Sequence, residues 1–180
     1  MTIREMIVRE MTQDDGPAVL AVYAEGIATG TATFETTVPQ WAAWDAGHLQ
    51  APRLVATGHH QGQKPDADQH QVTGLLGWAA LSPVSDRCAY AGVAEVGVYV
   101  AAAARGRGTG RRLLTELVER SERAGLWTLQ AGILADNHAS LAVHHAAGFR
   151  LVGHRERLGQ LAGTWRDVLL LERRSAITGT

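Results

Sequence analysis

Apolar positions along the chain recur with two spacings, every second residue and near every 3.6, and these set the expected elements. Residues 7–10 read as a short first strand. Thr12 and Asp15 form a T-x-x-D helix start, and Val19, Leu20, Val22, Tyr23 and Ile27 follow at helical spacing until the glycines at 26 and 30. Residues 30–38, rich in β-branched side chains, read as a loop or edge strand; Pro39 opens a second helix through Trp41, Trp44 and His48. Strands are expected at 52–57 and 72–81. The polar stretch between them, 58–71, has no hydrophobic period and reads as a long, mobile hairpin loop. Residues 94–100 form the clearest strand, 105–110 a turn, and 111–124 a helix with an apolar face of Leu113, Leu114, Leu117 and Val118, closed by Gly125. A strand at 127–134 and a short helix at 137–147, stopped by Gly148, come next. Residues 149–157 and 164–172 read as the arms of a terminal hairpin, and 175–180 as a frayed tail. Consecutive strands followed by strand–helix alternation predict an α/β fold with a mixed sheet, in one domain over residues 1–175.

Composition narrows the function classes. A chain of 180 residues is one domain's length, and its hydrophobic fraction of 46% suffices for a core, which excludes a collagen, a disordered tail or a coiled coil. Seventeen basic against 18 acidic residues leave a formal net charge of −1, so no global positive field favours non-specific nucleic-acid binding. Lys64 is the only lysine; a GC-rich genome produces the same arginine bias, so only arginines within motifs carry weight here. The lone Cys88 rules out an intramolecular disulfide. Charges at Arg4, Glu5, Arg9 and Glu10 break up the opening residues, and no apolar run approaches ~18 residues, so a soluble cytoplasmic protein is expected. His59, His60 and His70 lie in the polar stretch, which supplies no fixed geometry for a metal.

The strongest chemical signal is Arg105-Gly-Arg-Gly-Thr-Gly110. Its glycines allow positive φ and expose successive N–H groups, and the helix that follows turns its positive end to the same spot, so the segment suits a pyrophosphate. It lacks the Gly-Lys-Ser/Thr of a Walker A loop, and Arg111 stands where a dinucleotide fingerprint needs its third glycine.

Arg105-x-x-Gly108-x-Gly110 follows Val96-Gly-Val-Tyr-Val100, and Asn137-x-x-Ser140-x-x-x-His144-x-x-x-Gly148-Phe149 comes later. This pair of segments resembles the GNAT superfamily of N-acetyltransferases. Glu25-Gly-Ile27, Thr31-Ala-Thr-Phe-Glu35, Gly77-Trp78, Ala89-Tyr-Ala-Gly92, Glu95-Val96, Gly163-x-Trp165-Arg-Asp-Val168 and Leu171-Glu-Arg-Arg-Ser175 narrow the resemblance to the phosphinothricin acetyltransferase family, over nearly the whole chain.

The resemblance implies a central mixed sheet flanked by helices, acetyl-CoA as cosubstrate, no metal, and a homodimer. It implies transfer of acetyl to the α-amine of a small amino-acid-like substrate of the phosphinothricin or methionine sulfone/sulfoximine type, with herbicide resistance as a consequence. Attack is direct, and Cys88 is not a nucleophile. Arg105, Gly106, Arg107, Gly108, Thr109, Gly110 and Arg111 would hold the pyrophosphate; Asn137 and Ser140 would line the pantetheine and thiol; backbone N–H groups at Val98, Tyr99 and Val100 would polarise the thioester carbonyl.

Strand alternation puts Val96, Val98 and Val100 on one face and Glu95, Gly97 and Tyr99 on the other, which suits Glu95 as the base that deprotonates the amine, directly or through water. Family members usually carry Ser where this chain has Gly97. His144 takes the place of a superfamily Tyr that protonates the departing thiolate, and is expected to act as an acid or to order the pocket. Arg87 would grip the substrate carboxylate, with Phe34 and Trp165 as pocket walls. Two other readings stay open: a different amine acceptor (protein N-terminus, polyamine or antibiotic), and a non-catalytic acetyl-CoA-binding module.

Overall fold

A computed structural model describes residues 3–60 and 74–179. Seven strands form one sheet in the order β1-β2-β3-β4-β5-β7-β6: β1 (Ile3–Glu10), β2 (Leu54–His60), β3 (Leu75–Pro83), β4 (Val93–Val100), β5 (Thr128–Leu134), β6 (Arg150–Leu161) and β7 (Thr164–Arg174). All neighbours are antiparallel except β4 and β5. The helices are α1 (Gly16–Ala28), α2 (Trp41–Ala46), α3 (Thr109–Arg123) and α4 (His138–Ala146). The mixed α/β architecture expected from the pattern is therefore the one observed.

The alternation in β4 divides the sheet's two layers. Val96, Val98 and Val100 pack towards the core built with Leu113, Leu114 and Leu117 of α3, and Tyr99 packs with Trp78, Val19 and Val22 under α1. The T-x-x-D start is tied in place: Asp15 accepts from the Thr12 N–H (2.7 Å) and receives both guanidinium nitrogens of Arg9 (2.7 Å each). Those bonds hold the Asp15 carboxyl below its ordinary range against the opposing effect of its burial.

The parallel pairing of β4 with β5 covers only Val93–Thr128, Ala94–Leu129 and Glu95–Gln130. Both strands run on beyond this point without pairing to each other, so the sheet splits at its middle. That split positions the site.

Several boundaries differ from the sequence reading. The helix after the glycine turn starts at Thr109, because Gly108 in the left-handed region (φ +81°) is its N-cap. The hairpin β6–β7 is longer than expected. Its tight turn, Ala162-Gly163, has positive φ at both residues, as the right-handed strand twist prefers. In β6 two extra residues lie between Arg155, opposite Val168, and Gly159, opposite Arg166. This bulge interrupts the alternation, which is why the expected arm stopped at residue 157 while the strand runs on to Leu161.

Residues 175–179 are not frayed. The Ser175 N–H donates to Trp127 O (2.8 Å), and the Thr178 hydroxyl donates to Glu122 O (3.1 Å). The strand expected at 52–57 is observed over Leu54–His60, while residues 61–71, most of the expected loop, and 72–73, the start of the next expected strand, fall outside the described residues.

Candidate active site

A cleft of about 960 Å³ occupies the split between β4 and β5. At one end lies the glycine turn. Gly106 (φ +72°) and Gly108 need positive φ, and a side chain on either would meet nothing within 4 Å, so the turn presents bare backbone to open space. Thr109, only 1% exposed, bonds the turn to itself through its hydroxyl and Ala104 O (3.3 Å). From the end of α1, Glu25 accepts the Ala102 N–H (2.5 Å) and fixes the approach. Arg112 makes the first helical bond, to Gly108 O (3.0 Å), which leaves the amides of residues 109–111 outside the bonding of α3. Arg105 and Arg111 add positive charge at this end of the cleft. Free amides, a helix N-terminus and two guanidiniums together form a seat for a diphosphate.

Along the middle runs the edge of β4 from Val96 to Val100, which has no strand partner on its β5 side. Val98, Tyr99 and Val100 all line the cleft. The Tyr99 ring is committed to packing, stacked on Trp78 (4.6 Å between centroids) and edge-on to Tyr23 (4.8 Å), and burial pushes its hydroxyl well above the ordinary range. Glu95 stands at the fork, where pairing stops. It is exposed to solvent, and Gln130 Nε2 donates to its Oε2 (2.9 Å). Gln130 is the β4–β5 partner of Glu95 and fixes the direction of its carboxylate.

The start of α4 contributes Asn137, Ser140 and His144. Asn137 caps the helix by accepting the Ser140 N–H (3.1 Å), and its Nδ2 donates to Thr31 O (3.0 Å). It thereby clasps the loop that carries Phe34 to the wall of the cleft. His144 is 3% exposed, and its Nδ1 lies 2.8 Å from Ser140 O. A carbonyl only accepts, so Nδ1 carries the proton. In the neutral ring Nε2 then has a lone pair, and this buried atom has no hydrogen-bond partner. Burial, aided by nearby His145, holds the His144 pKa below its ordinary value against the Ser140 hydrogen bond. The geometry therefore makes Nε2 an acceptor. Service as an acid would need a second proton, which burial opposes.

The far end is walled by Phe34, Trp44, His48 and Trp78, with Glu35 and Arg155 also on the lining. Phe34 lies against Gly159 in the β6 bulge; a Cβ there would come within 2.9 Å of the ring. His48 stacks on Trp44 (4.0 Å), and burial lowers its pKa as well. Two residues expected at the site lie elsewhere in the chain. Arg87, in the β3–β4 connection, is exposed with its guanidinium over Tyr90 (5.8 Å), and Trp165 is 54% exposed on the terminal hairpin. Neither lines the cleft within one chain. Gln130, His48, Trp44 and Arg155 were not anticipated. Only Gln130 left a readable trace, as an alternate position on a recognisable strand.

The two lowered histidines give a pH prediction. Above the ordinary value of 6.5 both folded and unfolded rings are neutral, and stability is full. As pH falls below it, the unfolded chain binds protons that the buried rings resist, so stability declines. Thermal melts from about pH 5 to about pH 8 should show an acid-side fall in Tm that is smaller in His144→Gln. An equal fall in the variant would mean that His144 titrates normally.

Residues 35–149 match the family model described as "Acetyltransferase (GNAT) family". The phosphinothricin N-acetyltransferase of Alcaligenes faecalis is 37% identical over 92% of this chain and 81% of its own length. The L-methionine sulfoximine/L-methionine sulfone acetyltransferase of Pseudomonas paraeruginosa is 29% identical over 92% of both chains. The crystal structure of a GNAT superfamily phosphinothricin acetyltransferase from Sinorhizobium meliloti, in complex with AcCoA, superposes with a TM-score of 0.80 at 28% identity, covering 97% of this chain and 90% of that one. With a split sheet, a glycine turn on the following helix and likeness along nearly its full length, the chain belongs to the acetyltransferase (GNAT) family, in its phosphinothricin acetyltransferase-like branch.

Proposed function

We propose that the chain transfers acetyl from acetyl-CoA to the α-amine of a small amino-acid-like acceptor, of the kind named for its phosphinothricin and methionine sulfoximine/sulfone relatives. The observation that carries this reading is the fork of β4 and β5. It puts the Glu95 carboxylate, steered by Gln130, at the opening of a cleft whose other end is the glycine turn. Acetyl-CoA supplies an activated thioester, and the residues present fit it. The unfilled cradle at Gly106 and Gly108 and the amides of Thr109, Gly110 and Arg111 would hold the diphosphate, together with Arg105 and Arg107. The unpaired edge of Val98, Tyr99 and Val100 would hydrogen-bond the pantetheine arm, alongside Asn137 and Ser140.

An amine acceptor arrives mostly protonated near neutral pH, and Glu95 takes that proton, directly or through water. His144 Nε2, a buried lone pair, orders the amine or its bridging water by accepting a hydrogen bond. Leu151, Val152, Leu158 and Trp165 are exposed apolar residues of the terminal hairpin, and a second copy of the chain covering them makes the enzyme a homodimer. It works in the cytoplasm, and no described helix is long and apolar enough to cross a membrane.

Thiol release from acetyl-CoA, followed with and without amines, tests the reading. Methionine sulfone and phosphinothricin should raise the rate well above the amine-free background, and a polyamine or a peptide N-terminus should not. Tight acetyl-CoA binding with no amine-dependent release would mark a cofactor-sensing module instead.

A further inference from the structure

The acceptor end of the cleft holds a guanidinium that the transfer reaction leaves unused. Arg155 lies opposite Val168 on β7, which in turn lies opposite Leu134 on β5, and all three line the cleft. Among the described residues the other arginines on the lining, Arg105 and Arg111, sit at the glycine turn, so Arg155 alone brings an arginine to the far end. Four other arginines of the hairpin are engaged, Arg150 with Glu172, Arg166 with Asp136, Arg173 with Glu122, and Arg174 with the carbonyls of Trp127 and Thr178, and Arg157, which is bonded through its backbone N–H, is not on the lining. The Arg155 side chain has no hydrogen bond or ion pair among the described residues.

Its setting is built. Arg155 opens the β6 bulge, whose shape is held by Asp167: one carboxylate oxygen accepts the Arg157 N–H (2.8 Å), and the other lies 2.8 Å from His154 Nε2. The bulge also brings Gly159 under Phe34, joining this part of β6 to the loop clasped by Asn137. Gly132, beside the Glu95 carboxylate, is two strands and two residues away from Arg155 in the register. That amounts to about 12 Å between Cα atoms at ordinary strand spacings, a gap that an extended arginine and a short bifunctional acceptor can fill. Glu95 and Glu35 are the lining carboxylates of this region. Two carboxylates and one unpaired guanidinium complement a zwitterion.

We propose that Arg155 is the anion-recognising residue of the acceptor subsite, holding the carboxylate of an amino-acid acceptor while Glu95 faces its amine. The assignment rests on the amino-acid N-acetyltransferase reading above. A planar guanidinium pairs bidentately with a carboxylate, so it fixes orientation as well as charge.

The test compares kcat/KM for methionine sulfone with that for the same molecule lacking its carboxylate, in the wild type, Arg155→Ala, Arg155→Gln and Arg155→Lys. Acetyl-CoA affinity by calorimetry serves as the folding control, and Arg155→Gln takes over if the alanine variant does not fold. The wild type should prefer the carboxylated acceptor by about 10–100-fold, the range for a hydrogen bond to a charged group. The preference should collapse towards unity in Arg155→Ala and Arg155→Gln through a raised KM for methionine sulfone. Arg155→Lys should recover only part of it, because lysine lacks the fork. A wild type that acetylates neither acceptor overturns the reading of the site as a whole. A wild type that discriminates while Arg155→Ala and Arg155→Gln discriminate equally overturns the assignment of Arg155 alone.

Discussion

Replacing Glu95 with glutamine is expected to lower kcat/KM by about 10²–10⁴ near neutral pH, the range for loss of a general base. Glutamine keeps the shape of the side chain and can still accept from Gln130 through its amide oxygen, so the fork should stay intact. Only basicity is lost. The deficit should shrink as pH rises towards the pKa of the acceptor amine, because less of the amine then needs to be deprotonated. A pH–rate profile of wild type and variant with a saturating amine checks this. Wild-type activity at pH 7 would reduce Glu95 to a structural residue and leave the lone pair on His144 Nε2 as the remaining base.

Gly108→Asp should weaken acetyl-CoA binding by about 10²–10³-fold, the size of one unit-charge repulsion near a protein surface. Its Cβ would meet nothing within 4 Å, and aspartate is among the few side chains that visit the left-handed region, so the backbone cost is about 1 kcal/mol. The fold should survive while the seat for the diphosphate turns repulsive. Calorimetry with acetyl-CoA gives the affinity, and circular dichroism confirms the folded state. Unchanged affinity in a folded variant would place the cofactor elsewhere.

What the sequence disclosed followed from periodicity. The valines at 96, 98 and 100 assigned the faces of β4 correctly, which put Glu95 and Tyr99 on the same side, and the glycine spacing located the turn before α3. The split of the sheet is a matter of register and leaves no mark on composition. Nor did the rest of the far wall. Trp44 could be placed on a helix but not at the cleft, because a helical stripe of tryptophans looks the same whether it fills a core or borders a cleft. Arg155 was hidden by the bulge, since two inserted residues erase the alternation that assigns a face. Arg87 and Trp165 lie in a connection and near a hairpin turn, where no period constrains direction, and the structure leaves both outside the single-chain cleft. His144 was recognisable as chemistry, but its protonation depends on the 2.8 Å bond to Ser140 O and on burial, which only the folded chain supplies.

The most direct test of the central claim is to identify the product formed when the purified enzyme is incubated with acetyl-CoA and methionine sulfone. Mass spectrometry and NMR should find one acetyl group on the α-nitrogen, released thiol in equal amount, and no acetyl left on the protein. Thiol release without an N-acetylated amino acid, or acetyl retained on a side chain of the enzyme, would contradict it.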